Sequence, residues 1–126
     1  MLDLLQYFNH QTVITDRAER FDLLQAGLFQ RGEQEEQVEL VRLEPNAKYA
    51  PHYHKKSAAI IYLIAGNGTI VLGAIEKTYQ ANQCITIPAG MRHGFKTNSE
   101  TVFLSIQTPS IIDKQTGEID IYYESN

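Results

Sequence analysis

Apolar positions along this chain fall into short runs separated by glycine, asparagine, proline and acidic clusters, and no stretch keeps a helical period for as long as ten residues. Thr12-Val13-Ile14-Thr15 reads as a first strand, followed by a charged turn at Asp16 to Arg20. Phe21 to Phe29 is a second, and Arg31 to Gln37 is a polar hairpin connection in which Gly32 supplies backbone freedom. The acidic residues Glu33, Glu35 and Glu36 are expected at a solvated loop tip. Val38 to Leu43 alternates imperfectly and ends at Glu44-Pro45-Asn46. Ala59 to Ala65 is a rich strand signal stopped by Gly66-Asn67-Gly68, and Thr69 to Leu72 and Ile75 to Tyr79 follow around Gly73-Ala74. Cys84 to Ile87, Gly94 to Thr97 and Thr101 to Gln107 continue the series, which Pro109 ends. A polar turn from Asp113 to Gly117 then leads into the alternation of Ile119, Ile121 and Tyr123. Residues 1–9 form either a short helix or an apolar segment docked on a partner. About ten short antiparallel strands with turn signals every eight to twelve residues predict an all-β sandwich or barrel with little helix.

At 126 residues the chain is expected to be one domain over 1–126, with no linker or repeat. An apolar content of 43% and a charged content of 21% belong to an ordinary globular chain. The net charge of −4 gives no electrostatic footprint for nucleic acid, and Lys55-Lys56, the one adjacent basic pair, fits a solvated loop. No apolar stretch approaches a membrane span. Met1-Leu2-Asp3-Leu4-Leu5 lacks the basic region of a secretory signal, and the lone Cys84 fits a reducing compartment, so a cytoplasmic location is expected. Cys84 lies in an apolar run and reads as a buried structural thiol.

Candidate chemistry concentrates in the histidines. Three of the four occur in Pro51-His52-Tyr53-His54 and at His93, while His10 stands apart and reads as exposed. Side chains alternate along an extended segment, so His52 and His54 share one face and Tyr53 takes the other. A third imidazole from another strand closes a facial three-nitrogen site for a divalent metal. Taken alone, the pair reads more readily as a surface pair or a hydrogen-bonded core pair than as metal ligands.

The spacing around these residues resembles the cupin superfamily. Its first motif runs Gly, five residues, His-x-His, three or four residues, Glu, six residues, Gly. Here Asn46 takes the first glycine position, His52-Tyr53-His54 follows, Ala59 falls at the glutamate position and Gly66 closes the motif, about 46–66. The second motif, about 82–97, has Asn82 at its glycine position, then Pro88-Ala89-Gly90, His93, and Thr97 in place of asparagine. Asparagine tolerates the left-handed turns that those glycines serve.

The resemblance implies a double-stranded β-helix, or jelly-roll, barrel in which His52, His54 and His93 hold a divalent metal such as Fe, Zn, Ni or Mn. Ala59 (Ala58 in the shorter spacing) cannot coordinate, so the site is a three-histidine one, similar to that of cysteine, gentisate and diketone dioxygenases. Three neutral ligands leave the cation's full charge in place, which favours an anionic, bidentate small molecule. The usual carboxylate chemistry is then excluded, and no acid–base residue stands beside the histidines in the sequence. The implied function is a metal-dependent oxygenase or isomerase acting on a small anionic or diketone-like substrate. The alternative is a non-catalytic small-molecule binding or sensing module, with or without a metal. The parity of Ala59 carries Ile61 and Leu63 inward as an apolar wall. Phe103, Ser105 and Gln107 share a face; if it looks inward, Gln107 offers a fourth ligand or a hydrogen bond, and otherwise it is solvent-exposed. Arg92 either holds a carboxylate or lies on the surface, and Tyr49 and Tyr53 are expected to pack. The family also implies a homodimer formed through N-terminal strands within residues 1–30.

Overall fold

The structure, a computed structural model, describes residues 11–113 and 115–123. Among them the chain forms eleven strands and no helix. They are β1 (Gln11–Ile14), β2 (Arg20–Arg31), β3 (Gln34–Leu43), β4 (Lys48–Tyr53), β5 (Ala58–Ala65), β6 (Asn67–Leu72), β7 (Ile75–Gln80), β8 (Cys84–Ile87), β9 (His93–Thr97), β10 (Thr101–Thr108) and β11 (Tyr122–Tyr123). One sheet has the order β1-β2-β3-β10-β5-β8 and the other β11-β4-β9-β6-β7. Every named pairing is antiparallel. This is the all-β antiparallel architecture that the strand pattern predicts.

The two sheets meet over a core that alternation selects. Along β5, Ala59, Ile61 and Leu63 are buried while Ile60, Tyr62 and Ile64 face outward. Across from them, Phe95 of β9 stacks on Phe103 of β10 at 5.3 Å between ring centroids, and Tyr79 of β7 meets Phe95 edge-on at 5.4 Å. Fully burying side chains of this size contributes on the order of 2 kcal/mol each.

The turns follow the residues that permit them. Asn46 and Asn82 adopt φ of 53° and 71°, the left-handed region expected at the two glycine positions they occupy. Gly66 has no alternative: at φ +100° an added Cβ would fall 2.3 Å from the Glu100 carbonyl oxygen.

Several expectations are corrected. The connection expected over Arg31 to Gln37 is a tight hairpin, with β2 running to Arg31 and β3 starting at Gln34 around Gly32 at φ 62°. A glycine in the left-handed region lets two residues close such a turn, so polar residues at an exposed hairpin end need no longer loop. Glu35 and Glu36 therefore lie within β3; Glu36 pairs with Arg31 at 3.0 Å and accepts from Thr108 Oγ1 at 2.6 Å. Cys84 is exposed, because it stands opposite Tyr62 on the outer face of edge strand β8 while Ile87 of the same strand takes the inner one. The alternating Ile119–Tyr123 stretch is reduced to a bridge between Ile112 and Ile119 and the two residues of β11. The expected N-terminal segment at residues 1–9 and His10 lie outside the described residues. Among the described residues no helix is long and apolar enough to cross a membrane.

Candidate metal centre

β4 and β9 pair so that His52 stands directly opposite His93. The pairing is irregular between Tyr49 and His52, where Pro51 has no N–H to give. Alternation turns Tyr53 to the other side of the sheet, where it stacks on Tyr122 at 5.6 Å, and brings His54 back to the side of His52. The three rings gather with centroids 4.4 Å (His52–His93), 5.1 Å (His52–His54) and 5.2 Å (His54–His93) apart. One nitrogen from each can be chosen so that all lie within 4.8 Å of one another. Three nitrogens about 2.0–2.1 Å from a common centre cannot be more than roughly 4 Å apart, so the observed spread is close to what a metal requires.

Backbone carbonyls fix two of the rings. His54 Nδ1 lies 2.6 Å from the Asp120 carbonyl oxygen and His93 Nδ1 lies 3.0 Å from that of Met91. A carbonyl only accepts, so in a neutral ring Nδ1 carries the proton and Nε2 keeps its lone pair for a ligand. Asp120 also holds the loop after His54, its carboxylate accepting from the backbone N–H groups of Lys55, Lys56 and Ser57 at 2.8, 2.9 and 3.1 Å. Partial burial would raise the Asp120 carboxyl pKa, but these donors outweigh it and hold the group below its ordinary value.

Two of the three rings, His52 and His93, are electrostatically prepared to stay neutral. Burial, then the neighbouring His93 and His54, push the His52 pKa down from 6.5 to about 3. Burial also lowers that of His93 to about 4, against the opposing hydrogen bond to Met91. In the unfolded chain both titrate at their ordinary value, so below pH 6.5 the unfolded state binds more protons and stability falls with pH. The metal-free protein is therefore expected to lose stability steadily as pH drops from 6.5 towards 4, by up to about 1.4 kcal/mol per pH unit for each of the two groups, and its melting temperature falls with it. These groups add no slope above pH 7. Thermal melts across pH 4.5–8 in the presence of a chelator check this; a flat profile between pH 6.5 and 5 would contradict the burial of neutral imidazoles.

All three histidines open on one cavity of about 320 Å³. Its wall is largely apolar, with Val41, Ile61, Phe95 and Phe103 prominent, and Ala59 stands in it where the cupin pattern has glutamate. Phe103, Ser105 and Gln107 all face this cavity, which settles their shared face as the inner one. Arg92 is not among the lining residues: it precedes His93, its parity is opposite, and its guanidinium donates to the Gly73 carbonyl at 2.7 Å. Tyr49 lines the cavity and donates its hydroxyl to the Arg20 carbonyl at 2.5 Å.

Among the lining residues that the sequence alone does not place there are two carboxylates, Glu19 and Glu39. Glu39 of β3 faces the cavity, so a carboxylate is present after all, although it does not join the histidine cluster. Burial raises its pKa, and the Gln37 amide, which donates to it, lowers it. The signal was the period-two series Gln37, Glu39, Val41, Leu43, which competes with the equally apolar Val38 and Leu40 on the other parity.

A protein-family model for the cupin domain matches residues 39–107. No curated protein matches the sequence. Among solved structures, an uncharacterized conserved protein with a double-stranded β-helix domain from Klebsiella pneumoniae superposes with a TM-score of 0.65 at 15% identity, covering 100% of this chain and 97% of that one. A cupin protein from Bacteroides fragilis gives 0.55 at 23% identity, with 59% and 65% covered. Salicylate 1,2-dioxygenase from Pseudoaminobacter salicylatoxidans, in complex with gentisate, gives 0.54 at 11% identity, with 57% and 20% covered. The chain thus spans less than two thirds of the last two, and at these identities the likeness concerns the fold.

Proposed function

The chain belongs to the cupin domain family, and from that premise we propose that His52, His54 and His93 hold one divalent metal ion and that the cavity beside them binds a small anionic or diketone-like molecule for oxygen-dependent cleavage. One observation carries the reading: three buried or half-buried imidazoles converge while backbone carbonyls occupy the far nitrogens of His54 and His93. A bound cation would supply Lewis acidity and, as iron, a redox partner for dioxygen; zinc, nickel and manganese suit the same nitrogens. The chain's own part is to position and exclude. His54 and His93 are held in one tautomer by carbonyls that cannot move without disturbing β9 or the Asp120 loop. The Phe103 and Ile61 wall keeps water from the reacting end of a ligand, and Ser105 and Gln107 offer it hydrogen bonds. Uncharged protein ligands leave positive charge for an anionic chelator to neutralise.

A non-catalytic binding role is the second reading, favoured by Ala59, which leaves the cluster without a carboxylate ligand. Oxygen consumption by Fe(II)-loaded protein over a panel of β-diketones and hydroxy acids separates the two. Uptake that depends on substrate supports the enzyme; metal and ligand binding with no uptake across the panel favours the binder. We further place the protein in a reducing, cytoplasmic setting, which suits its exposed thiol, and as a homodimer. The N-terminal strands β1 and β2 carry exposed Ile14, Leu28 and Phe29, which a second copy would cover. Light scattering at micromolar concentration should give twice the mass of one chain, and a monomeric mass would contradict the pairing.

A further inference from the structure

Four polar side chains sit together on the inner face of the larger sheet. β3 and β10 place Gln37 opposite Gln107 and Glu39 opposite Ser105. β5 extends both rows, with Ala59 beside Gln107 and Ile61 beside Ser105. The same face continues as Val41, Leu43 and Phe103, so these groups stand where packing alone would have chosen apolar residues. Gln37 is provided for: its amide donates to Glu39 Oε1 at 2.5 Å and its carbonyl accepts from Ser110 Oγ at 3.0 Å. Gln107 is not. It is 7% exposed, and its Oε1 is buried with no hydrogen-bond partner. Glu39 has one oxygen engaged by Gln37. Both side chains line the histidine cavity.

An unmade hydrogen bond inside a protein is rare and expensive, and the buried Gln107 acceptor left open on the cavity, on the same face as the Glu39 carboxylate, marks the place of a donor that is not part of the chain. We propose that Glu39 and Gln107 form a hydrogen-bonding pole of the cavity, separate from the histidine cluster, that selects small, largely apolar ligands carrying a hydroxyl or N–H donor. Neighbouring strands are about 4.8 Å apart, so Glu39 on β3 stands roughly 10 Å from β5 across the sheet, while Gln107 lies between it and Ala59; the pole thus extends from the Ala59 corner to a more distant part of the ligand. The inference rests on the reading above in taking this cavity as the ligand site, but it requires no metal. The partial burial that makes Glu39 a costly anion also makes a donated hydrogen bond to it worth more than one in water.

Phenol and toluene, which differ by one hydroxyl in nearly the same volume, test the pole in protein freed of metal by a chelator. An apolar cavity that gives the hydroxyl no partner favours toluene, because phenol must give up its bonds to water. The wild-type protein is expected to bind phenol at least as tightly as toluene by calorimetry. Glu39→Leu and Gln107→Leu are each expected to shift the ratio towards toluene by about tenfold or more. Gln107→Leu leaves no partner orphaned, so it decides the matter if Glu39→Leu does not fold. A purely structural Glu39 would instead lower the melting temperature and leave the ratio unchanged. An unchanged ratio in the folded variants, or no binding of phenol to the wild type, overturns the proposal. A phenol preference that depends on both residues in a protein that never takes up metal would keep the pole and sink the metal reading.

Discussion

His93→Ala is expected to lower the affinity of the protein for added Zn(II) or Fe(II) by at least about a hundredfold, while leaving the fold intact. Even outer partners of a metal ligand are worth roughly 10–100-fold in affinity, and His93 would be a direct ligand. It stands opposite His52 across the β4–β9 pairing, and its removal leaves two nitrogens where three converge. The backbone of β9 keeps its bonds to β4 and β6, since an alanine changes no ladder partner. The metal-free variant should also lose part of the acid sensitivity of the wild type, because one buried neutral imidazole is gone. Calorimetric metal titration and circular dichroism check both halves. Wild-type affinity in a folded His93→Ala protein would remove His93 from the site.

Ala59→Glu should move affinity the other way and couple it to stability. Ala59 is 3% exposed, lines the cavity with the histidines and sits where the cupin pattern has glutamate. Without metal, a carboxylate there is a buried charge with Gln107 as its cross-strand neighbour and no cation, and it is expected to cost about 3–5 kcal/mol or to be protonated. With metal it becomes a fourth ligand and cancels part of the charge that three neutral imidazoles leave. The melting temperature should therefore fall below wild type in chelator and recover with added metal, with tighter binding than wild type. A variant equally destabilised with and without metal would show that position 59 does not reach the ion.

The sequence was most informative where one face of a strand is plainly apolar or where motif spacing ties distant residues together. In β5 the inward Ala59, Ile61 and Leu63 follow from parity alone. His52, His54 and His93 were legible because period two and the two motifs point the same way, and Asn46 and Asn82 because few residues accept a left-handed turn. Legibility failed where both parities look alike. In β3, Val38 and Leu40 compete with Val41 and Leu43, so the inward parity of Glu39 is not legible, and with it a carboxylate on the wall of the histidine cavity. Cys84 misled for a related reason: an apolar run at a sheet edge buries only alternate residues, and Cys84 holds the outer parity opposite Tyr62. Arg92 and Gln107 required the register, which no local pattern supplies.

The metal reading of the site depends on whether three histidines without a carboxylate retain an ion. Elemental analysis of wild-type protein purified without added metal, repeated after loading with Fe(II), Zn(II), Ni(II) and Mn(II) in turn and set beside His52→Ala, is the direct test. The account predicts about one divalent metal per chain in the wild type under at least one loading condition and little in the variant. Metal well below one per chain under every condition, or equal metal in the His52→Ala protein, would contradict it.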